Sequence, residues 1–418
     1  MSESLKENKS ALHYWIYLID KSTIDYISLL SYLNECDFGV LDIALCEKEL
    51  RPLYVNHLAK YYATHEVIIA KLKKSKSHLD WIVRQGLNMH IKSLGVSFNE
   101  SKENRINFED YILNFPELLE IKCWYITNAI LDMLSTYSPK LQSFKVFANV
   151  HLLTDYNKIE NVLRKCTALN CVHISEHPDA DMCRLGNDVI QMIPKHCPHL
   201  EVLKLIEWAN IDGCAVSAIA NLTNLCEFNI SSFDEFPIGS LVRLVSNNNR
   251  LQTLFLDGIC WSHNHVMKAL GASCPMLKHV TLFSSSWRRF GDEGVLAMVQ
   301  GCPLLETIDV GSSNFGDFID LGDLDEEEEE EDDDEIFLGP ELSFTDAGLL
   351  AIAQYCPRLE ILKVSSVDYL DYTDTGLYAV IASCPRLRAI YTNDELFYST
   401  QDHEAYDFDK LYYAEGGF

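Results

Sequence analysis

One phrase returns five times along this 418-residue chain. It reads C-P-R-L-E-I-L-K-V at 356–364, C-P-R-L-R-A-I-Y-T at 384–392, C-P-L-L-E-T-I-D-V at 302–310, C-P-M-L-K-H-V-T-L at 274–282 and C-P-H-L-E-V-L-K-L at 197–205. In each copy the proline stops any helix that precedes it. The apolar residues that follow are spaced L-x-x-L-x-L. The last two alternate at period two, as on one face of a half-buried strand, and the first turns into the core. Units that recur in this way bury their apolar faces against one another.

Working outward from the clear copies, the first anchors fall at Ile91, Leu118, Leu141, Leu169, Leu200, Leu225, Leu251, Leu277, Leu305, Leu359 and Leu387. Their successive spacings are 27, 23, 28, 31, 25, 26, 26, 28, 54 and 28 residues. All but the 54 cluster around the period of leucine-rich repeats. Between the strands the pattern is helical. F-T-D-A-G-L-L-A-I-A-Q-Y-C-P (344–357) and Y-T-D-T-G-L-Y-A-V-I-A-S-C-P (372–385) align without a gap. Thr345 and Thr373 stand where an N-cap belongs, and Asp346 and Asp374 sit in the first turn, where the helix dipole favours acid. Leu349, Ile352 and Ala353 supply an inward face.

These units resemble the cysteine-containing subclass of leucine-rich repeats found in F-box proteins. The early copies depart from it, because Pro116 and Pro139 lack the preceding cysteine and Thr167 and Thr223 replace the proline. The expected fold is α/β: a leucine-rich-repeat solenoid of about 11 repeats over 81–392. Its expected form is a right-handed arc with parallel strands on the concave face and helices on the convex face. A solenoid adds core repeat by repeat, so the chain's length is no obstacle to burying one. Cys197, Cys274, Cys302, Cys356 and Cys384 read as buried thiols, since stacked helices lie about 8–10 Å apart, beyond the roughly 7 Å reach of a disulfide.

The 54-residue spacing means that one repeat carries an insertion over about 315–342. It contains eleven consecutive acidic residues, Asp325–Glu335. Such a run cannot bury enough apolar surface to fold and is expected to be a disordered loop. It is either a tolerated insertion or an acidic arm for a basic partner. Residues between the strand anchors, among them Lys204, Phe255, His279, Asp309, Lys363 and Tyr391, should face the concave side. The loops just past the strands carry Trp208, Phe233, Trp261, Trp287, Phe315 and Tyr369, and Arg288 and Arg289 follow Trp287. Aromatic and Arg side chains are the usual anchors of protein interfaces. A protein substrate is therefore expected at Trp208, Phe233, Phe255, Trp261, Trp287, Arg288, Arg289 and Tyr369, unless some of these aromatics fold back onto the next repeat. The aromatic, acidic tail 393–418 is expected to cap the last repeat or to lie along the concave face.

Residues 1–80 contain no repeat and read as a small all-α module. Ile27, Leu30 and Leu33 share one helix face; a break at Asn34–Asp37 precedes a second apolar stretch, Phe38, Leu41, Ile43, Leu45 and Leu50, expected to end near Pro52, and a third helix is expected from Leu53 to Lys76. I-S-L-L-S-Y-L (27–33), Asp37-Phe38 and L-D-I-A-L-C (41–46) resemble the F-box motif, with Lys21-Ser22 in place of its Leu-Pro opening. That resemblance implies a substrate receptor of an SCF-type cullin–RING ubiquitin ligase, in which Ile27, Leu30, Leu33, Phe38 and Leu41 pack against the Skp adaptor and the ligase includes a cullin. Such a module also serves as the helical cap that a solenoid end requires, which leaves open a repeat scaffold outside any ligase, or a chaperone-like acidic binder of basic proteins.

Composition narrows the alternatives. The net charge is −28, which argues against nucleic-acid binding, since that needs a cationic surface. No apolar run is long enough to span a bilayer, so the expected location is cytoplasmic or nuclear, with the 14 cysteines reduced. The sequence lacks G-x-x-x-x-G-K-[ST], G-x-G-x-x-G, H-E-x-x-H and G-x-S-x-G. No C-x-x-C pair occurs, and His263 and His265 are expected to be surface histidines. No catalytic residue, metal ligand or cofactor is expected.

Overall fold

Each Cys-Pro phrase folds as a helix stop, a turn and a strand. In the computed structural model the Cys302 N–H donates to the Met298 carbonyl and ends one helix. The Cys302 carbonyl then accepts from the N–H of Leu305, three residues on, at 3.3 Å. Proline at the second position of such a turn is pre-set for it. The same turn closes Cys197 to Leu200, Cys274 to Leu277, Cys356 to Leu359 and Cys384 to Leu387. Copies without Cys-Pro keep the geometry: Leu141 donates to Ser138, Leu169 to Cys166 and Leu251 to Asn248. The turn, rather than the proline, is what recurs.

The structure describes residues 50–69, 80–96, 115–124, 126–147, 155, 157–175, 187–208, 211–232, 238–257, 263–284, 290–312, 343–365, 370–392 and 395–400. The chain divides into two compact units, Met1–Cys171 and Val172–Phe418. The first runs α1 (Leu50–Tyr62), β1 (Val67–Ile69), a 3-10 turn at Leu87–His90, β2 (Ser93–Val96), β3 (Glu120–Cys123), α2 (Asn128–Tyr137), β4 (Ser143–Phe147) and α3 (Asn157–Lys165). Strands β1 to β4 pair in that order, all parallel. The second unit contains β5 (Cys171–Ser175), α4 (Asn187–His196), β6 (Val202–Trp208), α5 (Gly213–Ile219), β7 (Glu227–Ser232), α6 (Ile238–Asn247), β8 (Thr253–Asp257) and α7 (His263–Ser273). It continues with β9 (His279–Ser284), α8 (Asp292–Gly301), β10 (Thr307–Ser312), β11 (Phe344–Thr345), α9 (Asp346–Tyr355) and β12 (Ile361–Ser365). It ends with β13 (Leu370–Asp371), α10 (Asp374–Ser383), β14 (Ala389–Thr392) and β15 (Glu395–Ser399). Here β6 to β10, β12 and β14 pair in chain order and in parallel, and β15 adds antiparallel to β14. Parallel strands joined by helices with this period make the fold a leucine-rich-repeat solenoid, and all eleven first anchors are buried.

Two boundaries differ from the sequence expectation. The helix expected from Leu53 to Lys76 instead begins at Leu50, with Pro52 tolerated in its first turn, and ends at Tyr62, and Val67–Ile69 extends the sheet by pairing with β2. The sheet thus begins before residue 80, because Val67, Ile68 and Ile69 form a β-branched run that favours strand over helix. In the tail, β15 covers the last edge of the sheet, as a capping strand does.

Neighbouring repeats are joined by two recurrent devices. At helix ends, the thiol of one repeat donates a second hydrogen bond to a carbonyl of the repeat before it: Cys166 to Ser138, Cys274 to Val245, Cys302 to Leu270 and Cys384 to Cys356, at 3.4–3.5 Å. Asn248, at a cysteine position, does this with an amide, donating to Leu222 of the repeat before at 2.8 Å and also to Leu244 of its own helix. Burial pushes the thiols of Cys274 and Cys302 up to about 12, so they remain protonated donors.

At helix starts, an aspartate takes over the capping of the next helix. Asp292 accepts from the Thr345 N–H (2.9 Å), the Thr345 hydroxyl (2.6 Å) and the Gly348 N–H (2.9 Å). Asp346 repeats this on Thr373, through the N–H at 2.7 Å and the hydroxyl at 2.8 Å. Glycine is required where the aspartate arrives, since a Cβ on Gly348 would lie 2.6 Å from the Asp292 carboxylate and 2.4 Å from the Phe344 ring. The strands close over the same point: β10 pairs with β12 from Thr307↔Ile361 to Gly311↔Ser365. The acidic insertion thus falls between two ends, Ser312 and Ser343, that are held in place by contacts it does not make. The insertion itself lies outside the described residues.

Candidate interaction surface on the sheet

Alternation along each strand of the second unit sends Leu254, Leu256, Val280, Leu282, Ile308, Val310, Leu362 and Val364 into the core. The residues between them line the opposite face in registered rows. One row runs Lys204, Asn229, Phe255, Thr281, Asp309, Lys363, Tyr391. A second runs Glu227, Thr253, His279, Thr307, Ile361, Ala389. All six inter-anchor residues expected from the sequence lie on this face, with His279 one row from the other five.

The centre of the face is a compact mixed cluster. Phe255 meets Phe283 edge-on at 6.0 Å, and the Lys363 ammonium sits 5.6 Å over the Phe283 ring, within range of a cation–π attraction. Phe255 itself is 2% exposed, so it supports Phe283 from below rather than offering surface. Asp309 stands in register between Thr281 and Lys363 and is fully buried. His279 places Nδ1 3.2 Å from the Thr307 hydroxyl and Nε2 3.8 Å from Glu306. Burial lowers its pKa, against the opposing pull of Glu306, so the ring is neutral at physiological pH. To one side, Lys204 pairs with Glu227 at 2.8 Å. The cluster contains an aromatic ring, a cation and a neutral imidazole that are held in fixed geometry by the sheet, which suits it to recognition.

The first unit has a more strongly ionic counterpart. The Glu120 carboxylate accepts from the Ser93 hydroxyl at 2.8 Å and pairs with Lys145 at 3.2 Å, while Lys122 pairs with Glu66 at 3.1 Å. Burial acts to raise the Glu120 pKa, but the Ser93 hydroxyl, Lys145 and Lys122 together outweigh it and hold the carboxyl below its ordinary value. Beside this network Trp124 and Phe147 pack with ring centres 5.6 Å apart.

The expected rim residues are only partly placed. Trp208 ends β6, but its side chain lies outside the described residues, as do Phe233, Trp261, Trp287, Arg288, Arg289, Phe315 and Tyr369. Ile27, Leu30, Leu33, Phe38 and Leu41 also lie outside them. Phe283 and Glu306 escaped the sequence reading although the signal was present: 279, 281 and 283 alternate on one face of a single strand. Among the described residues no group of His, Cys, Asp and Glu is placed to hold a metal ion, and no helix is long and apolar enough to cross a membrane.

The fold defines a class: a leucine-rich-repeat solenoid with parallel strands and alternating helices. No family model matches the chain. Over 210 residues, 42% of this chain, it is 28% identical to F-box protein MAX2 homolog A of Petunia hybrida. Over 186 residues, again 42% of the chain, it is 26% identical to F-box/LRR-repeat protein 4 of Bos taurus. The chain spans less than a third of either relative, 30% and 28% of their lengths. The structure of the Rad7 and Elc1 complex in yeast aligns at a TM-score of 0.49 and 14% identity, covering 94% of this chain and 88% of that one. The chain is thus similar to F-box/leucine-rich-repeat proteins in sequence, as its repeats and N-terminal motif also suggest.

Proposed function

We propose that this protein is a substrate receptor of an SCF-type cullin–RING ubiquitin ligase. Its F-box-like segment binds the Skp adaptor through Ile27, Leu30, Leu33, Phe38 and Leu41, and its sheet face holds a protein substrate. The observation that carries this reading is the cluster of Phe283, Lys363 and His279, half-buried beside the fully buried Phe255, Thr281 and Asp309, on the sheet face of a solenoid similar in sequence to F-box proteins. The protein contributes proximity rather than chemistry: a substrate held near the ligase's charged ubiquitin donor reacts because its effective concentration is high. Substrate contact extends from the sheet to the loop residues Trp208, Phe233, Trp261, Trp287, Arg288, Arg289 and Tyr369.

A pull-down with purified Skp adaptor tests the assignment. The wild-type chain should retain the adaptor, and Leu30→Asp combined with Leu33→Asp should release it while the thermal unfolding of the solenoid stays unchanged. Retention by the double variant sinks the F-box reading and leaves a repeat scaffold outside any ligase.

A further inference from the structure

Seven large apolar side chains are exposed among the described residues, and three of them occupy the same place in successive helices. Leu296, Leu350 and Tyr378 are each the fifth residue of α8, α9 and α10, and they are 39%, 54% and 60% exposed. The corresponding position, counted back from the helix-closing turn, holds Asp132 in α2, Glu160 in α3, Gln191 in α4 and Lys268 in α7. It is half-buried Val242 in α6, and α5 is shorter. Beyond its first two residues, none of α8, α9 and α10 carries a charged side chain, whereas α3 carries Lys158, Glu160, Arg164 and Lys165. The apolar line continues to Phe397, whose ring lies 5.9 Å from Tyr378. In a chain of net charge −28, a charge-free outer face spanning three adjacent helices is a marked exception, and contiguous exposed apolar surface of this kind marks an association site.

The borders of the stripe say what fits it. The helix starts carry exposed acids, Glu293 and Asp374, and the turns after the helices carry exposed Arg358 and Arg386. We propose that the outer face of α8, α9 and α10 is a homodimer interface, in which two copies meet about a two-fold axis running along Leu296, Leu350 and Tyr378. That axis sets each helix antiparallel to its own counterpart. Arg386 of one copy then faces Asp374 of the other, Arg358 approaches the α9 start of the other, and the apolar side chains meet at the axis. It is also where two strongly acidic chains can approach with least like-charge repulsion. Three ten-residue helices give a footprint of about 15 Å by about 25–30 Å. That is at the small end of specific interfaces, so the dimer forms in the micromolar range. This inference does not depend on the ligase reading.

Sedimentation velocity of the full chain from about 1 to about 100 µM tests it, a range that brackets a micromolar dissociation constant. The wild type should shift from monomer to dimer across that range. Leu350→Lys with Tyr378→Lys should remain monomeric with unchanged circular dichroism and melting, because both positions are exposed. Arg386→Glu should weaken the dimer several-fold, and adding Asp374→Lys should restore it, since the exchanged pair again has opposite signs across the axis. A wild type that stays monomeric throughout overturns the proposal and leaves the stripe to a different protein. So does a dimer that survives the double lysine variant. Failure of the charge exchange to restore association overturns the two-fold arrangement.

Discussion

The thiol of Cys302 reaches the Leu270 carbonyl at 3.5 Å, and this contact explains why cysteine suits the end of a repeat helix. The position must be small enough to be buried, yet can offer a further donor to a carbonyl of the neighbouring repeat. Asn248 reaches the preceding repeat at Leu222 with an amide, so the requirement is a donor rather than sulfur chemistry. With its thiol pushed up to about 12, Cys302 should resist alkylation in the folded protein at pH 8. Exposed Cys214 should react at once, and peptide mapping by mass spectrometry after a short iodoacetamide pulse reads both. Glu120 gives a prediction of a different kind. Its folded pKa lies below the ordinary 4.5, so its stabilising contribution is fully present above that value and is lost as pH falls through the lower folded pKa. Urea unfolding should therefore show Glu120→Gln less stable than wild type at pH 6, with the gap closing as the pH is taken below 4.5 and through the lower folded pKa.

At the scale of elements, the aspartate-to-threonine contacts join one repeat to the next. Asp292→Ala removes three hydrogen bonds to the start of α9 and should destabilise the second unit by about 2–4 kcal/mol, measured by chemical denaturation. Gly348→Ala should be comparably harmful, because the added methyl group meets the Asp292 carboxylate and the Phe344 ring at under 3 Å. The N-cap roles of Thr345 and Thr373 were legible in the sequence, since a Thr-Asp pair before an apolar helix has few other local explanations. The role of Asp292 was not, because its partners lie 53 and 56 residues away and no local pattern encodes a contact across an insertion. The extra strand β1 was missed for a related reason. Three residues, Val67–Ile69, are too few for periodicity to separate strand from helix, and only pairing with β2 decides it. The eleven anchors were readable because burial repeats at a fixed interval. The recognition face was only half readable, because alternation identifies which residues face outward but not which of them, such as Phe283 and Lys363, come into contact.

For the molecule as a whole, charge and architecture are separable. Residues 313–342 contain 15 carboxylates and no cation, more than half of the net −28. Deleting 316–341, which holds all 15, should leave a folded chain, because four residues remain to join Ser312 to Ser343, as in the next repeat, and the strand register from β10 to β12 and the Asp292 contacts lie outside the deletion. The deletion variant should melt within a few degrees of wild type by calorimetry and elute much earlier from an anion-exchange column. If the arm recruits a basic partner, that binding should weaken steeply with salt in the wild type and be absent in the variant.

The hydrogen bonds that Asp292 accepts from Thr345 and Gly348 form a splice across which the repeat fold is continuous although the sequence carries an insertion there. The repeats on either side register with each other directly, so the segment between Ser312 and Ser343 can lengthen, shorten or change its charge without altering what the strands present. Selection on that segment and selection on the recognition surface are thereby uncoupled within one polypeptide.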